Sequence, residues 1–215
     1  MLLAFTVSNE MKTGPKYKIA RRLGVPIFEK TQTQKFTLSL AKKSNRRSTG
    51  KKHRFQTTEY GRQLLEKQKA RYSYLLNEKQ FSNYVKKALA NPRKSEYLFE
   101  LLESRLDNVV FRMGMAPTRD AAKQMVSHGH ITVNKKRVTI PSQSVKVEDK
   151  IAPREQSLGK KIFADIDERL KNLTHPSWME FNHLKKEALI KSKPNLDKNE
   201  NLLFDVETVL EFYSR

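Results

Sequence analysis

The chain has 215 residues, 37% of them hydrophobic and 31% charged, so it is long enough to bury a core in one large domain or two modest ones. It contains no cysteine, which excludes disulfide bonds, thiolate catalysis and cysteine-ligated zinc, and no apolar run approaches the roughly eighteen residues needed to span a bilayer. The 43 Lys and Arg against 23 Asp and Glu give a net charge of +20, which points to a polyanion such as nucleic acid as the partner.

The first ninety residues carry most of this charge, with 21 Lys and Arg against 5 Asp and Glu, whereas residues 157–215 have 10 of each. The start, MLLAFTVSNEMK, lacks the features of a signal peptide, so we expect an intracellular protein. GPKYKIARRLG, residues 14–24, predicts a short helix, and SNRRSTGKKHR, residues 44–54, predicts a basic loop. We expect this arm to contact RNA phosphates, although a basic arm can also be merely solvated.

Two successive helices are predicted over residues 59–90. The apolar side chains available for their buried faces are Leu64, Tyr72, Leu75, Leu76, Phe81 and Val85. Basic residues surround this set, namely Arg62, Lys67, Lys69, Arg71, Lys79, Lys86 and Lys87. The aromatic rings could stack on bases, but their helical spacing favours packing in a core.

A helix-turn-helix pattern follows. SEYLFELLESRLDNVVFRMG predicts one amphipathic helix, stopped by Gly114 and carrying Leu98, Leu101, Leu102, Leu106, Val109 and Met113 on its apolar face. Thr118 is a candidate N-cap for a second helix that ends at Gly129. Its apolar stripe consists of Ala121, Ala122, Met125 and Val126.

The hydrophobic period then changes from that of a helix to that of a strand. Ile131 and Val133 alternate with polar residues before the turn Asn134-Lys135-Lys136, and Val138 and Ile140 alternate after it. Val145, Val147 and Ile151 around Glu148-Asp149 predict further strand. The sequence therefore predicts a small sheet after the two helices.

The remaining residues predict a helix over Leu158–Leu173, a loop with the single Trp178, and a lysine-rich segment with Pro194. The closing run NLLFDVETVLEFYSR is too apolar for a free tail, so we expect it to pack on another part of the molecule.

Four blocks of the sequence resemble one family, in order, over nearly the whole chain. They are GPKYKIARRLG, EYGRQLLEKQKARYSYLLNEKQFSNYV, LLESRLDNVVFRMGMAPTRDAAKQMVSHGHITVNKKRVTIPSQSVKVEDKI and the terminal VLEFYSR. Together they resemble the small-subunit ribosomal protein conventionally numbered four. The resemblance implies an α+β fold: a mainly helical, discontinuous domain of residues 1–96 completed by 157–215, and an inserted RNA-binding module of residues 97–156 with a helix-turn-helix and a small β-sheet.

The resemblance also implies a role without catalysis. Proteins of this family bind the 5′ domain of small-subunit ribosomal RNA at a multi-helix junction early in assembly. They line the channel through which messenger RNA enters, beside neighbouring small-subunit proteins. We therefore expect the chain on ribosomes of the cytoplasm, or alternatively of an organelle, with no membrane partner.

This chain departs from the family in three places. It lacks the cysteines with which many members bind zinc, so we expect no zinc and no other cofactor. Asn134-Lys135 stands where the family has Asn-Gly, and a lysine strains a type I′ turn. Residues 181–200 match the family only loosely, so no role is carried over to them.

His128 and His130 raise three alternatives. A metal site needs more ligands than this pair, and the chain has only three further histidines, His53, His175 and His183. In a structural interpretation, His128-Gly129 closes the second helix and His130 opens the first strand. With an RNA role added, His128 can also contact a phosphate or a ribose.

Arg105-Leu106-Asp107 resembles the motif around the catalytic aspartate of pseudouridine synthases, some of which carry the same small module. An RNA-modifying enzyme of that type is the alternative function. The roughly sixty residues after the module are too few for its catalytic domain, and we expect Asp107 to be a surface partner of a basic side chain.

Arg119 and Lys123 lie opposite the apolar stripe of the second predicted helix, and we expect them to converge with Lys135, Lys136 and Arg137 on one phosphate-binding surface. The sheet that follows favours recognition of folded RNA over a DNA-binding repressor. The complete set of candidate RNA-binding residues is Lys16, Lys18, Arg21, Arg22, Lys51, Lys52, Arg54, Arg62, Lys67, Lys69, Arg71, Arg105, Arg112, Arg119, Lys123, Ser127, His128, Asn134, Lys135, Lys136 and Arg137.

Overall fold

The computed structural model describes residues 14–49, 58–171, 173–195 and 202–214. The described parts of Met1–Lys86 and Leu202–Arg215 form one compact unit, and those of Lys87–Asn201 form a second. The described residues among 87–96 and 157–201 belong to the second unit, whereas the sequence was expected to place them in the discontinuous helical domain. The architecture is α+β, as predicted, and within the described ranges no helix is both long and apolar enough to cross a membrane.

The first unit is helical. Its helices are α1 (Lys16–Leu23), α2 (Gln34–Thr49), α3 (Glu59–Ser73), α4 (Glu78–Leu89), whose last residues belong to the second unit, and the C-terminal α9 (Val206–Tyr213). The predicted basic loop is wrong for residues 44–49, which continue α2, while residues 50–54 lie outside the described ranges. Helix α9 packs along α3, with the ring centroids of Tyr60 and Phe212 5.6 Å apart, so the prediction of a packed terminus is confirmed.

The second unit opens with α5 (Lys94–Glu103) and α6 (Leu106–Arg112). The single helix predicted here is wrong, because Ser104 ends α5 and the chain takes an extended conformation at Arg105. Ser104 O accepts a 2.8 Å hydrogen bond from Val145 N, and Leu106 N donates one of 2.9 Å to Gln143 O. The segment of residues 143–145 thus forms hydrogen bonds with backbone groups that a continuous helix would pair within itself.

Helix α7 (Arg119–Ser127) precedes the strands β1 (Ile131–Val133), β2 (Lys136–Val138) and β3 (Lys150–Pro153). The turn between β1 and β2 has φ of 51° at Asn134 and 65° at Lys135. Both values are left-handed, as a type I′ turn requires, so the lysine is accommodated where glycine is usual. Val145 is buried but lies outside the strands, and Val147 is exposed, so the further strand predicted there is confirmed only at Ile151.

A hairpin that the sequence did not predict completes the sheet. Strands β4 (Met179–Asn182) and β5 (Glu187–Ile190) extend it to five antiparallel strands in the order β2-β1-β3-β5-β4. The helix predicted over residues 158–173 is confirmed only for α8 (Ile166–Lys171). Phe163, Ile166 and Leu170 nevertheless join the core of this unit, together with Trp178 and the apolar faces of α6, α7 and the sheet.

Candidate nucleic-acid interface

Helix α7 ends in a tight helix-to-strand corner formed by SHGH. Its N-cap is Thr118, as predicted, whose Oγ1 accepts a 3.1 Å hydrogen bond from Ala121 N. Ala122, Met125 and Val126 are buried, which confirms the predicted stripe, although Ala121 is only half-buried. At the other end Gly129 adopts φ of 70° and His130 N donates to Met125 O at 3.0 Å. The corner therefore follows the structural interpretation of His128 and His130.

The Arg137 side chain lies across this corner. Its Nη2 donates to His128 O at 3.3 Å, and its guanidinium covers Gly129 so closely that a Cβ there would overlap it. Strand β2 pairs with β1, which holds Arg137 opposite Thr132 and beside the corner. A cation is thus fixed at the C-terminal end of α7, where the partial negative charge of the helix favours it.

The pKa of His130 reflects the charges around the corner. Its Nδ1 lies 3.0 Å from Ser157 Oγ. Burial lowers the pKa of His130, and the positive charges of Lys160, His128, Arg137 and Arg154 lower it further. The charged groups that lower this pKa are all basic, and they come from three separate segments of the described chain. His128, His130, Arg137, Arg154 and Lys160 form the corner cluster.

Arg154 and Lys160 were not among the residues expected from the sequence. Arg154 N donates to His130 O at 2.7 Å, which continues the pairing of β1 with β3 past the ends of the strands. That pairing brings Arg154 to the corner, although it is 24 positions from His130 in the sequence. The only feature of the sequence that could have predicted the position of Arg154 was the hydrophobic alternation of β1 and β3. That alternation does not reveal which strands pair.

The turn between β1 and β2 presents Lys135 and Lys136, which are both exposed. Asn134 instead braces the turn: its Oδ1 accepts from Lys150 N at 2.9 Å, and its Nδ2 donates to Asp149 Oδ1 at 2.7 Å. Asn134 therefore has a structural role in the turn, and its expected contact with RNA stays a prediction.

The junction of α5 and α6 contains a buried polar network. Glu103 has no exposed surface. Its carboxylate accepts hydrogen bonds from Arg112 Nε at 2.8 Å, from Arg112 Nη2 at 2.9 Å and from Asn108 Nδ2 at 2.6 Å. Arg105 is 3% exposed and donates two hydrogen bonds to Asp107, of 3.1 and 2.6 Å. Asp107 does pair with a basic side chain, but it is buried rather than on the surface. Arg105 thus stabilises the protein, and Arg112 is largely committed to Glu103. The RNA contacts expected of both arginines stay predictions.

Arg119 does not simply point into solvent opposite the apolar stripe. Its Nε donates to Asn108 Oδ1 at 2.9 Å, and its guanidinium lies 4.4 Å from the centre of the Phe111 ring. Lys123 on the same helix is half-exposed, and Ser127 Oγ donates to Lys123 O at 2.9 Å. Arg119 therefore packs against α6, and its expected convergence with the turn lysines stays a prediction.

In the first unit, α1 carries exposed cations. Lys18, Arg21 and Arg22 are exposed, while Lys16 is half-buried with its Nζ 5.5 Å from the centre of the Phe28 ring. Ala20 and Leu23 on the other side of α1 are buried. Helix α1 therefore presents one basic face and buries the other.

Helix α3 differs from α1, because most of its expected RNA-binding residues have protein partners. Lys67 is 8% exposed and pairs with Glu78 at 2.7 Å, with its Nζ 4.8 Å from the centre of the Phe212 ring. Lys69 pairs with Glu66 at 2.6 Å, and Arg71 lies 3.7 Å from Glu78. Arg62 remains exposed. Lys67 ties α3 to α4 and α9. The RNA contact expected of Lys67 stays a prediction.

Lys51, Lys52 and Arg54, which were expected to bind RNA, lie outside the described residues. Across the ranges that the structure covers, no three His, Asp or Glu side chains are grouped so as to hold one metal ion.

Comparison with known proteins places these features in one family. Residues 11–104 match the model of the ribosomal protein S4/S9 N-terminal domain, and residues 104–151 match that of the S4 domain. The chain is 42% identical over 209 residues to the small ribosomal subunit protein uS4 of Christiangramia forsetii, covering 94% of this chain and 98% of that protein. The uS4 proteins of Porphyromonas gingivalis and Roseiflexus castenholzii are 42% and 40% identical over 206 and 208 residues, with the same coverage.

Proposed function

Since this chain belongs to the family of the small ribosomal subunit protein uS4, we propose that it binds small-subunit ribosomal RNA directly, at a junction of several RNA helices in the 5′ domain. The chain is a non-enzymatic structural protein of the small ribosomal subunit. Binding early in assembly lets it stabilise a junction whose phosphates repel one another, so that it nucleates the folding of that RNA.

The corner cluster is the observation that supports RNA binding most strongly. Four basic side chains from three segments lie around the His130 imidazole, and the exposed Lys135 and Lys136 belong to the adjoining turn. Such a group of like charges destabilises the free protein, and binding a phosphate backbone relieves the repulsion. The arginine fork of Arg137 is held in place by His128 O, so less entropy is lost when it binds a phosphate.

The exposed basic face of α1 supports a second contact surface. Lys18, Arg21 and Arg22 lie in the first compact unit, whereas the corner cluster lies in the second. Two basic surfaces in separate units allow one chain to bind more than one RNA helix, as binding at a junction requires.

Contacts with messenger RNA and with neighbouring small-subunit proteins are the further part of the proposal. We assign Lys51, Lys52 and Arg54 to the channel through which messenger RNA enters, on the basis of the family resemblance of the block that follows them. Replacing all three with alanine should leave thermal stability nearly unchanged and impair the unwinding of structured messengers by ribosomes that carry the variant. Normal unwinding would count against this assignment.

The structure argues against the alternative of an RNA-modifying enzyme, because Asp107 would have to be its catalytic aspartate. Asp107 is 8% exposed and receives two hydrogen bonds from Arg105, so its carboxylate is committed to holding the start of α6. We propose a ribosomal location in the cytoplasm, which agrees with the bacterial source of the compared relatives.

The proposed RNA surface can be tested through the salt dependence of binding. Lys136→Gln with Lys160→Gln removes two cations, so the slope of log affinity against log salt should fall by about 1.8 if both contact phosphates. Lys146→Gln with Lys185→Gln makes the same charge change at exposed sites that do not act on His130, and should leave the slope nearly unchanged. Equal slopes for both double variants in filter binding to small-subunit ribosomal RNA would refute the proposed surface.

A further inference from the structure

The His130 ring in the corner cluster is held in one orientation by its neighbours. Its Nδ1 lies 3.0 Å from Ser157 Oγ, and Ser157 is only 3% exposed, so this hydrogen bond is built into the fold. Ser157 N in turn donates to Arg154 O at 2.8 Å, which fixes the serine beside the pairing of β1 with β3. The buried Phe163 meets the ring edge to face with the centroids 6.4 Å apart, and His128 does so at 6.0 Å. The imidazole is therefore preorganised for whatever its second nitrogen binds.

The second nitrogen of this ring, Nε2, is open to a ligand. Within the part of the chain that the structure describes it forms no hydrogen bond. It keeps accessible surface, whereas both ring nitrogens of His175 are enclosed. A histidine that is fixed at Nδ1 and open at Nε2 can make one directed hydrogen bond outward from the corner.

The chemistry of Nε2 fits a hydroxyl group better than a phosphate. Burial and the surrounding basic groups lower the pKa of His130, so the ring is uncharged at neutral pH, and Nε2 donates or accepts according to the tautomer. The Ser157 hydroxyl pairs with Nδ1 in either tautomer and does not select one of them. A phosphate oxygen only accepts, whereas a hydroxyl both donates and accepts and thus satisfies either tautomer. The hydroxyl of an RNA backbone is the ribose 2′-hydroxyl, which DNA lacks.

We propose that His130 forms a hydrogen bond with a ribose 2′-hydroxyl of the RNA strand whose phosphates the corner cluster binds. Arg137, Arg154 and Lys160 attract the backbone of that strand to the ring, so a ribose lies closer to Nε2 than a base edge does. These cations bind the phosphates of RNA and DNA alike, and the contact with His130 supplies the distinction between the two. The inference rests on the proposed RNA binding and adds to it a residue that selects RNA over DNA.

Random replacement of riboses by deoxyriboses tests the proposal directly. Small-subunit ribosomal RNA with scattered 2′-deoxy nucleotides, each marked by a phosphorothioate, is bound to the full-length protein, and iodine cleavage compares the bound and unbound pools. At one position the parent chain should discriminate against deoxyribose about 2- to 13-fold more than His130→Asn does, which is the effect of one hydrogen bond. Both proteins bind the same RNA pool, so effects of deoxyribose on the RNA fold cancel. Equal profiles for the two proteins would overturn the proposal.

Two further variants separate a ligand contact from support of the fold. The asparagine of His130→Asn keeps a polar atom near the position of Nδ1 and lacks Nε2, whereas the longer side chain of His130→Gln brings its amide near the position of Nε2. His130→Gln should therefore retain the discrimination that His130→Asn loses. His183→Asn makes the same substitution at an exposed histidine outside the corner cluster and should keep the whole parent profile. If His130→Gln loses the same position as His130→Asn, or if His130→Asn changes many positions, His130 only supports the fold and the proposal is wrong.

The outcomes distinguish this inference from the proposed function. If His130→Asn has the parent profile while Lys136→Gln with Lys160→Gln lowers the salt slope, the 2′-hydroxyl contact is refuted and the phosphate surface stands. If the lysine variants also bind like the parent chain, the proposed function fails as well. Amide spectra of each variant show whether the second unit remains folded.

Discussion

Replacing Gly129 with alanine tests the corner of α7 and the placement of Arg137 together. At φ of 70° an alanine costs about 1–2 kcal/mol of stability, because its Cβ crowds the backbone in the left-handed region. The same Cβ overlaps the Arg137 guanidinium, but that group is the end of a flexible side chain and can move away at little further cost. The protein should therefore stay folded, with Arg137 displaced from the corner.

Displacing Arg137 should weaken RNA binding. Losing one charge-assisted contact costs about 1–2 kcal/mol, which is roughly 5- to 30-fold in Kd, and should lower the salt slope by about 0.9. Urea unfolding followed by the fluorescence of Trp178, which is buried in the same unit, measures the stability change. Filter binding at several salt concentrations measures the slope.

Gly24→Ala is the matched control. Gly24 has φ of 76°, and a Cβ there would meet no atom within 4 Å, so the backbone strain is the same and no cation moves. It should lose similar stability, measured by circular dichroism, and keep the parent salt slope. If Gly129→Ala has the parent Kd and slope, then Arg137 does not contact phosphate from this corner. If Gly129→Ala unfolds no more easily than the parent chain, the account of backbone strain is wrong.

Three further predictions follow from buried or clustered charges. Glu103→Gln should lower stability by about 2–3 kcal/mol, seen as earlier loss of Trp178 fluorescence in urea, because its arginine partner loses the buried counter-charge. Burial opposes ionisation of Glu78, but hydrogen bonds from Lys67 and Tyr213 outweigh this effect and lower the pKa of Glu78. The ionised Glu78 therefore stabilises the fold at neutral pH, and this stabilisation is lost as pH falls below about 4.5. Glu78→Gln should remove that part of the acid dependence of urea unfolding, and an unchanged dependence would contradict it. A phosphate bound beside His130 should raise its lowered pKa, so affinity for RNA should increase as pH falls through the titration range of this histidine, and a ring titration that RNA leaves unmoved would exclude phosphate at this site.

The sequence predicted most of the helices because their signals are local. Apolar residues recur along one side of α4 and α7, and Thr118 caps α7 where the pattern begins. These signals depend on neighbours within one or two turns of the chain, as do the turn between β1 and β2 and the apolar stripe against which the corner is built. The net charge and the resemblance of the motifs likewise needed no structure to indicate RNA.

The partners of individual charges could not be predicted from the sequence. Lys67 and Arg119 are indistinguishable in sequence from solvated cations, and only the tertiary fold places Glu78 and Asn108 beside them. In the same way, the pairing of β1 with β3 brings Arg154 to the corner cluster. Which cations remain available for RNA was therefore decided by contacts between segments distant in the chain.

Long-range hydrogen bonds also decided where the regular elements begin and end. The apolar period runs unbroken through residues 98–113, but Ser104 and Leu106 exchange hydrogen bonds with residues 143–145, and the helix divides there. The strands β4 and β5 are short and polar on one side, so their local pattern is weak, and β5 is stabilised by pairing with β3. A backbone group can satisfy its hydrogen bond either locally or with a distant segment, and the local sequence encodes only the first of these choices. Composition and periodicity thus determined that this is a basic, mainly helical RNA-binding chain, and the distant pairings determined its sheet, its buried charges and the cations left at its surface.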